Sequence, residues 1–294
     1  MAEVRSVAVV GAGTMGNGIA QACSMAGLDV TLVDTQDSFI QRGVENVKTS
    51  LARFVKSQKL TQEQADAVVK RIRTTTSLKD AVSEVDIVIE VVPEKMELKQ
   101  SVFKDIAAAA KPGTVLATNT SQLSITAIAS AIDRPQDVIG MHFFNPPVMM
   151  RLVEVVNGLK TSDEALQTVL ALTKKLGKEA AVCKRDTVGF ITTRAAAALR
   201  LECYRMLEEG VASMEDIDRA MRLGFNHPMG PIELSDFNGL DVALFNTLSL
   251  KEAYGERFNP PQSLVARVKA GQLGRKTGAG WYDYSDPKNP KPTK

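Results

Sequence analysis

The 294-residue chain is poor in the residues that announce many functions. It has three cysteines (Cys23, Cys183, Cys203), an odd number with no metal-like spacing, so neither a disulfide framework nor a metal site is expected. Lys and Arg number 36 against 34 Asp and Glu. A net charge of +2 leaves no basic field to attract nucleic acid or an anionic membrane, so recognition of an anionic ligand must be local. No apolar run nears the roughly 20 residues that span a bilayer. A strand starts by about residue 5, without the h-region of a signal peptide or an Arg- and Ser-rich transit segment. The expectation is a cytoplasmic protein with its thiols reduced and in the core. Only two histidines are available to a proton-transfer centre.

What is present begins at once. Val7-Ala-Val-Val10 leads into Gly11-Ala12-Gly13-Thr14-Met15-Gly16, and Asp34 closes the next apolar run. Gly11 suits a tight strand-to-helix turn, Gly13 lets backbone approach a pyrophosphate, and Gly16 lets the helix pack on the sheet. The phosphates would lie on free N–H groups at the helix N-terminus, where the dipole favours negative charge. Asp34 can accept from both adenosine ribose hydroxyls and repels a 2′-phosphate, so NAD is expected over NADP.

Short β runs at 72–75, 87–92, 114–118 and 138–144 alternate with helical stretches at 95–110 and 124–131. Before them lie helices at 38–58 and 61–71, the second opened by a Thr61/Gln64 capping box. Strands alternating with helices predict a parallel, doubly wound α/β sheet of Rossmann type. Two more runs, 152–156 and 180–183, flank a helix at 162–176. Beyond residue 188 the β runs cease and helical spacing takes over, at 195–209, 213–223, 239–254 and 263–270. The expected division is a dinucleotide-binding domain over 1–185 and an all-α substrate and dimerisation domain over 186–294, with a frayed tail from 285. An apolar face on so small a helical domain predicts a homodimer.

Catalytic groups in such sheets gather at the carboxyl ends of strands. His142 ends the strand in Gly140-Met-His-Phe-Phe-Asn-Pro146. Glu154 interrupts the apolar run Leu152-Val-Glu-Val-Val156, where a buried carboxylate needs a donor, and His142 is the natural one. Ser121, just past a strand, can hydrogen-bond a reacting oxygen, although serine there commonly serves a turn. His227, among turn residues and followed by Pro228, is assigned to packing.

Six segments in this order and spacing resemble the L-3-hydroxyacyl-CoA dehydrogenase family: Gly11-Ala-Gly-Thr-Met-Gly16, Asn119-Thr-Ser121, His142-Phe-Phe-Asn-Pro146, Leu152-Val-Glu-Val155, Pro228-Met-Gly-Pro231 and Lys276-Thr-Gly-Ala-Gly-Trp-Tyr282. The resemblance covers nearly the whole chain, and the single-function bacterial members are nearest in length. It implies NAD-dependent, reversible oxidation of a short-chain (S)-3-hydroxyacyl-CoA such as 3-hydroxybutyryl-CoA. It further implies His142 as general acid/base, Glu154 as its orienting partner and Ser121 on the reacting oxygen. By the same resemblance Glu94, Lys99, Asn145 and Lys276 contact the cofactor. Ser50 and Lys56 fall near the CoA contacts, with Ser57 an alternative to Lys56. Thr193 stands where the family commonly has asparagine against the substrate, and Val188 replaces a usual proline. Two other readings keep the fold: a β-hydroxyacid or sugar-acid dehydrogenase, which generally uses a lysine base, and a non-catalytic dinucleotide-binding protein.

Overall fold

The computed structural model describes residues 3–293. The chain divides into two compact units, one ending at Thr187 and the other beginning at Val188. The break falls two residues beyond the expected 185/186 boundary, for a local reason. The Asp186 carboxylate accepts from Ser124 Oγ (2.6 Å) and Thr126 N–H (2.7 Å), which ties that segment to the first unit.

The first unit runs β1 (Ser6–Val10), α1 (Thr14–Met25), β2 (Asp29–Val33), α2 (Asp37–Lys56), α3 (Gln62–Lys70), β3 (Ile72–Thr75), α4 (Leu78–Val82) and β4 (Ile87–Glu90). It continues with α5 (Met96–Ala109), β5 (Val115–Thr118), α6 (Ile125–Ala129), β6 (Val138–Phe143), β7 (Leu152–Asn157), α7 (Asp163–Lys175) and β8 (Glu179–Cys183). The eight strands form one sheet in the order β3-β2-β1-β4-β5-β6-β7-β8. Strand order reverses beside β1, the switch point where such sheets bind nucleotides. Every residue of β4, β5 and β6 is buried, which is why these strands read as unbroken apolar runs rather than alternating ones. The Thr61/Gln64 capping box opens α3 as the spacing predicts.

Two strands depart from the parallel expectation, since β8 runs parallel to β7 and both oppose the other six. β7 runs antiparallel to β6, because the connection 144–151 holds no crossover helix and is too short to return a parallel strand. That reversal sets His142 directly opposite Glu154.

The second unit comprises α8 (Thr192–Glu208), α9 (Met214–Phe225), α10 (Pro231–Asn238), α11 (Leu240–Tyr254) and α12 (Gln262–Lys269) around Leu201, Tyr204, Ile232, Leu240, Leu264 and Trp281. Two buried aspartates organise it. Asp218 accepts from the N–H groups of Ile232 (2.8 Å) and Glu233 (3.0 Å) and from Tyr282 Oη (2.9 Å), so it closes the N-terminus of α10. Asp236 accepts from Trp281 and Tyr282 N–H and from Tyr284 Oη. Burial pushes both carboxyls above the usual range, against the pull of these donors. The tail is not frayed as expected. β9 (Tyr282–Asp283) pairs antiparallel with β10 (Lys291–Pro292), and Thr293 hydrogen-bonds the carbonyls of Gly280 and Trp281. A ribbon of two short strands thus completes the otherwise helical unit; Lys294 lies outside the described residues.

Candidate active site

At the switch point the glycine turn has the steric profile its sequence requires. Gly11 sits at φ +112°, and a Cβ there would lie 2.7 Å from the Val91 carbonyl oxygen. A Cβ on Gly16 would fall 1.8 Å from the Gly11 carbonyl oxygen, so any larger residue drives α1 off the turn. Gly13 is the N-cap of α1 and has open space around its Cβ position. No side chain caps this helix, so first-turn N–H groups of Thr14, Met15 and Gly16 remain for a ligand. Asp34 follows β2 and reaches back: Oδ2 accepts Ala12 N–H at 2.7 Å and Oδ1 accepts Thr35 N–H at 2.7 Å. An uncapped helix start, an open glycine and a neighbouring carboxylate suit the pyrophosphate and ribose of NAD.

Along the same sheet edge lie the candidate residues His142 and Glu154. His142 Nδ1 and Glu154 Oε2 are 2.8 Å apart; Glu154 is fully buried and His142 is 5 % exposed. An ionised carboxylate oxygen only accepts, so beside an ionised Glu154 the shared proton belongs to Nδ1. The Phe144 ring packs against the imidazole at 4.6 Å between centroids. Asn119 Oδ1 accepts Phe143 N–H at 2.7 Å, which fixes the end of β6 against the end of β5.

Ser121 lies two residues past Asn119, half-buried, and its N–H donates to Glu94 Oε1 at 3.0 Å; Thr120 Oγ1 donates to the same oxygen. Lys99 is more deeply placed than a cofactor ligand on a helix surface. It is 1 % exposed, with Nζ 2.7 Å from Glu90 Oε1, 3.2 Å from the Val92 carbonyl oxygen and 3.6 Å from Glu94 Oε2. Asn145 is exposed in the turn after β6, where the Asn145–Pro146 bond is cis. Lys178 donates to the carbonyls of Pro147 and Met150, both at 2.6 Å, and so closes that turn; burial lowers its pKa from the usual lysine value.

The remaining candidates stand elsewhere. Ser50 is half-buried and Lys56 exposed on α2. Six residues apart, they point about 120° from one another around the helix axis. Ser57, the C-cap, donates to the Phe54 carbonyl. In the second unit Thr193 is half-buried in the first turn of α8, and Lys276 is exposed with Nζ 2.6 Å from both Asp241 carboxylate oxygens. His227 is half-buried beyond α9, edge-on to the exposed Phe225 ring. Glu90 and Lys178 were missed from the sequence. Glu90 ends the apolar run Ile87-Val-Ile-Glu90, the same signal that exposed Glu154.

The thiols take no part. All three cysteines are buried, and burial pushes Cys23 up to about 12 and Cys203 up to about 11, so neither offers a thiolate near neutrality. Among the described residues no cluster could hold a metal ion, and no helix is long and apolar enough to cross a membrane.

A nucleotide turn beside an imidazole–carboxylate pair suits redox chemistry at an alcohol carbon, the work of nicotinamide-dependent dehydrogenases. The comparisons carry this further. The profile of the 3-hydroxyacyl-CoA dehydrogenase NAD-binding domain matches residues 6–187, and that of the C-terminal domain matches 189–284. A 3-hydroxybutyryl-CoA dehydrogenase of Bradyrhizobium diazoefficiens is 41 % identical over 294 residues, 100 % of this chain and 99 % of that one. A 3-hydroxyadipyl-CoA dehydrogenase of Escherichia coli is 41 % identical over 97 % of this chain and 60 % of its own length. The crystal structure of (S)-3-hydroxybutyryl-CoA dehydrogenase from Ralstonia eutropha superposes with a TM-score of 0.91 at 43 % identity, covering 95 % of this chain and 98 % of that one. The chain belongs to the 3-hydroxyacyl-CoA dehydrogenase family, and its cofactor is NAD.

Proposed function

We propose that the protein interconverts a short-chain (S)-3-hydroxyacyl-CoA, such as 3-hydroxybutyryl-CoA, and its 3-oxo counterpart, with His142 and Glu154 as the acid–base pair. The observation that carries this reading is the 2.8 Å contact between Nδ1 and a fully buried carboxylate. NAD, when bound, supplies hydride acceptance in one direction and donation in the other. Gly11, Ala12, Gly13, Thr14, Met15 and Gly16 would hold its pyrophosphate and Asp34 its adenosine ribose. Glu94, Lys99 and Asn145 are assigned to positions near its nicotinamide half, and Lys276 to another cofactor contact.

His142 Nε2 takes the 3-hydroxyl proton in oxidation and returns it in reduction. Glu154 fixes the tautomer and offsets the imidazolium charge, which in a buried site has little water to stabilise it. Ser121 Oγ hydrogen-bonds the reacting oxygen. Ser50, Lys56 and Thr193 are assigned to the acyl-CoA. The test is kcat/KM for NADH oxidation across 3-oxoacyl-CoA chains of increasing length, repeated with NADPH. We expect a maximum at four carbons and a strong preference for NADH. An optimum at long chains, or equal use of NADPH, overturns the corresponding part of the reading.

Glu154→Gln is expected to lower kcat by about 10–100-fold, less than loss of the base itself. An amide does not stabilise imidazolium as a carboxylate does, so the acid limb of the oxidation profile should move to lower pH. An unmoved limb removes Glu154 from its role.

We also propose a homodimer formed by the second unit. Leu223 and Phe225 at the end of α9 are 80 % and 72 % exposed, and Phe237, Val242, Phe245 and Leu248 on α10 and α11 are also exposed. So many large apolar side chains on a small helical unit call for a cover. Sedimentation at micromolar concentration should give the mass of two chains, and a single-chain mass refutes it. Three buried thiols suit a reducing compartment, which supports the cytoplasm as its location.

A further inference from the structure

We infer that Glu90 is a positioning residue that sets the stance of Ser121 through Lys99 and Glu94. Glu90 is fully buried, so it meets neither cofactor nor substrate. Its Oε1 accepts from Val92 N–H at 2.6 Å and from Lys99 Nζ at 2.7 Å, and its Oε2 accepts from Thr118 Oγ1 at 2.7 Å. One carboxylate therefore ties together the turn after β4, the first turn of α5 and the last residue of β5. Ser121 stands three residues beyond Thr118.

The link to Ser121 runs through charge. Lys99 lies between two carboxylates, bonded to Glu90 and 3.6 Å from Glu94 Oε2. Glu94 uses its other oxygen to hold Ser121 N–H and Thr120 Oγ1. A buried ammonium is costly unless closely matched, and Glu90 provides its main match. Neutralise Glu90, and the ammonium is drawn to the remaining carboxylate. Glu94 then turns toward Lys99 and loosens its hold on the Ser121 backbone. Glu90 thus keeps Lys99 at a distance that leaves one Glu94 oxygen for the loop.

This inference rests on the proposed role of Ser121 at the reacting oxygen, so its test reads the loop separately from turnover. Two variants are compared with the unaltered chain. Glu90→Gln keeps size but not charge, and Glu90→Leu/Lys99→Met removes the ion pair altogether. Replacing both charges by apolar groups restores much of the stability that breaking a buried pair removes. In the double variant no ammonium is left to draw Glu94 away, so we expect thermal stability and amide hydrogen exchange across 118–122 near those of the parent. In Glu90→Gln the ammonium remains, and we expect exchange across 118–122 faster by tenfold or more and kcat/KM for 3-oxoacyl-CoA lower by tenfold or more; this variant decides the matter if the double variant does not fold. Parental exchange at 118–122 with parental turnover in folded Glu90→Gln, or exchange in the double variant as fast as in Glu90→Gln, overturns the inference. If the loop loosens while turnover is unchanged, the role of Ser121 fails and that of Glu90 in placing the loop stands. Inactivity of the parent chain toward 3-oxoacyl-CoA defeats the substrate reading and leaves the exchange result to decide on Glu90.

Discussion

His142→Ala is expected to lower kcat by about 10²–10⁴-fold while NADH binds as tightly as before, because a positioned general base supplies that much and the nucleotide turn lies on other strands. The split between the two quantities is the informative part. The glycine turn and Asp34 follow β1 and β2, whereas His142 ends β6. Alanine carries a secondary cost, since it strips a donor from a fully buried carboxylate, Glu154, and leaves space beside Phe144. His142→Asn separates the two effects. Its amide nitrogen falls near the place of Nδ1 and can still donate to Glu154, but it takes up no proton. Asparagine should match alanine in lost turnover and exceed it in thermal stability. Steady-state NADH oxidation and fluorescence titration of NADH measure both quantities. Turnover within threefold of the parent in either variant eliminates the imidazole as the base.

Much of this site was legible in the sequence, wherever a residue conflicts with its surroundings. A glutamate in the apolar run at 152–156 must have a donor, and one of two histidines sat a short connection away. The glycine turn was legible because each glycine answers a separate steric demand, and the contacts of Gly11 and Gly16 are those demands. The antiparallel course of β7 was not foreseen, although the brevity of 144–151 contained it: a parallel return needs a dozen or more residues. Glu90 shows the same conflict as Glu154 but was passed over, because its lysine lies on a helix and no strand pairing points to it. The deep seat of Lys99 is likewise invisible in sequence, since a lysine in the first turns of an amphipathic helix reads as a solvated one.

The second unit was least legible, and the largest stability effect is expected there. Asp236→Ala should cost about 3–5 kcal/mol. The reason lies in what the carboxylate holds. Trp281 N–H, Tyr282 N–H and Tyr284 Oη all donate to it, and each buried donor left unmatched costs about 1–3 kcal/mol. Removing a buried carboxyl returns part of that sum, because burial already disfavours its charge. Nothing in the sequence marks Asp236, one of two acids in the helix Pro231–Asn238. Its counterpart, Lys276-Thr-Gly-Ala-Gly-Trp-Tyr282, was legible only as a motif. The second glycine within it has a packing reason: a Cβ on Gly280 would lie 2.1 Å from Asp236 Oδ1. Carboxylate and glycine are thus two halves of one closure that brings the C-terminal ribbon onto α10. With total stability typically about 5–15 kcal/mol, the loss should lower the melting temperature by about 10 °C. Gly280→Ala should destabilise as well, by pushing the same closure apart from its other side. A fall in melting temperature of less than about 2 °C for Asp236→Ala refutes the claim that this carboxylate anchors the ribbon.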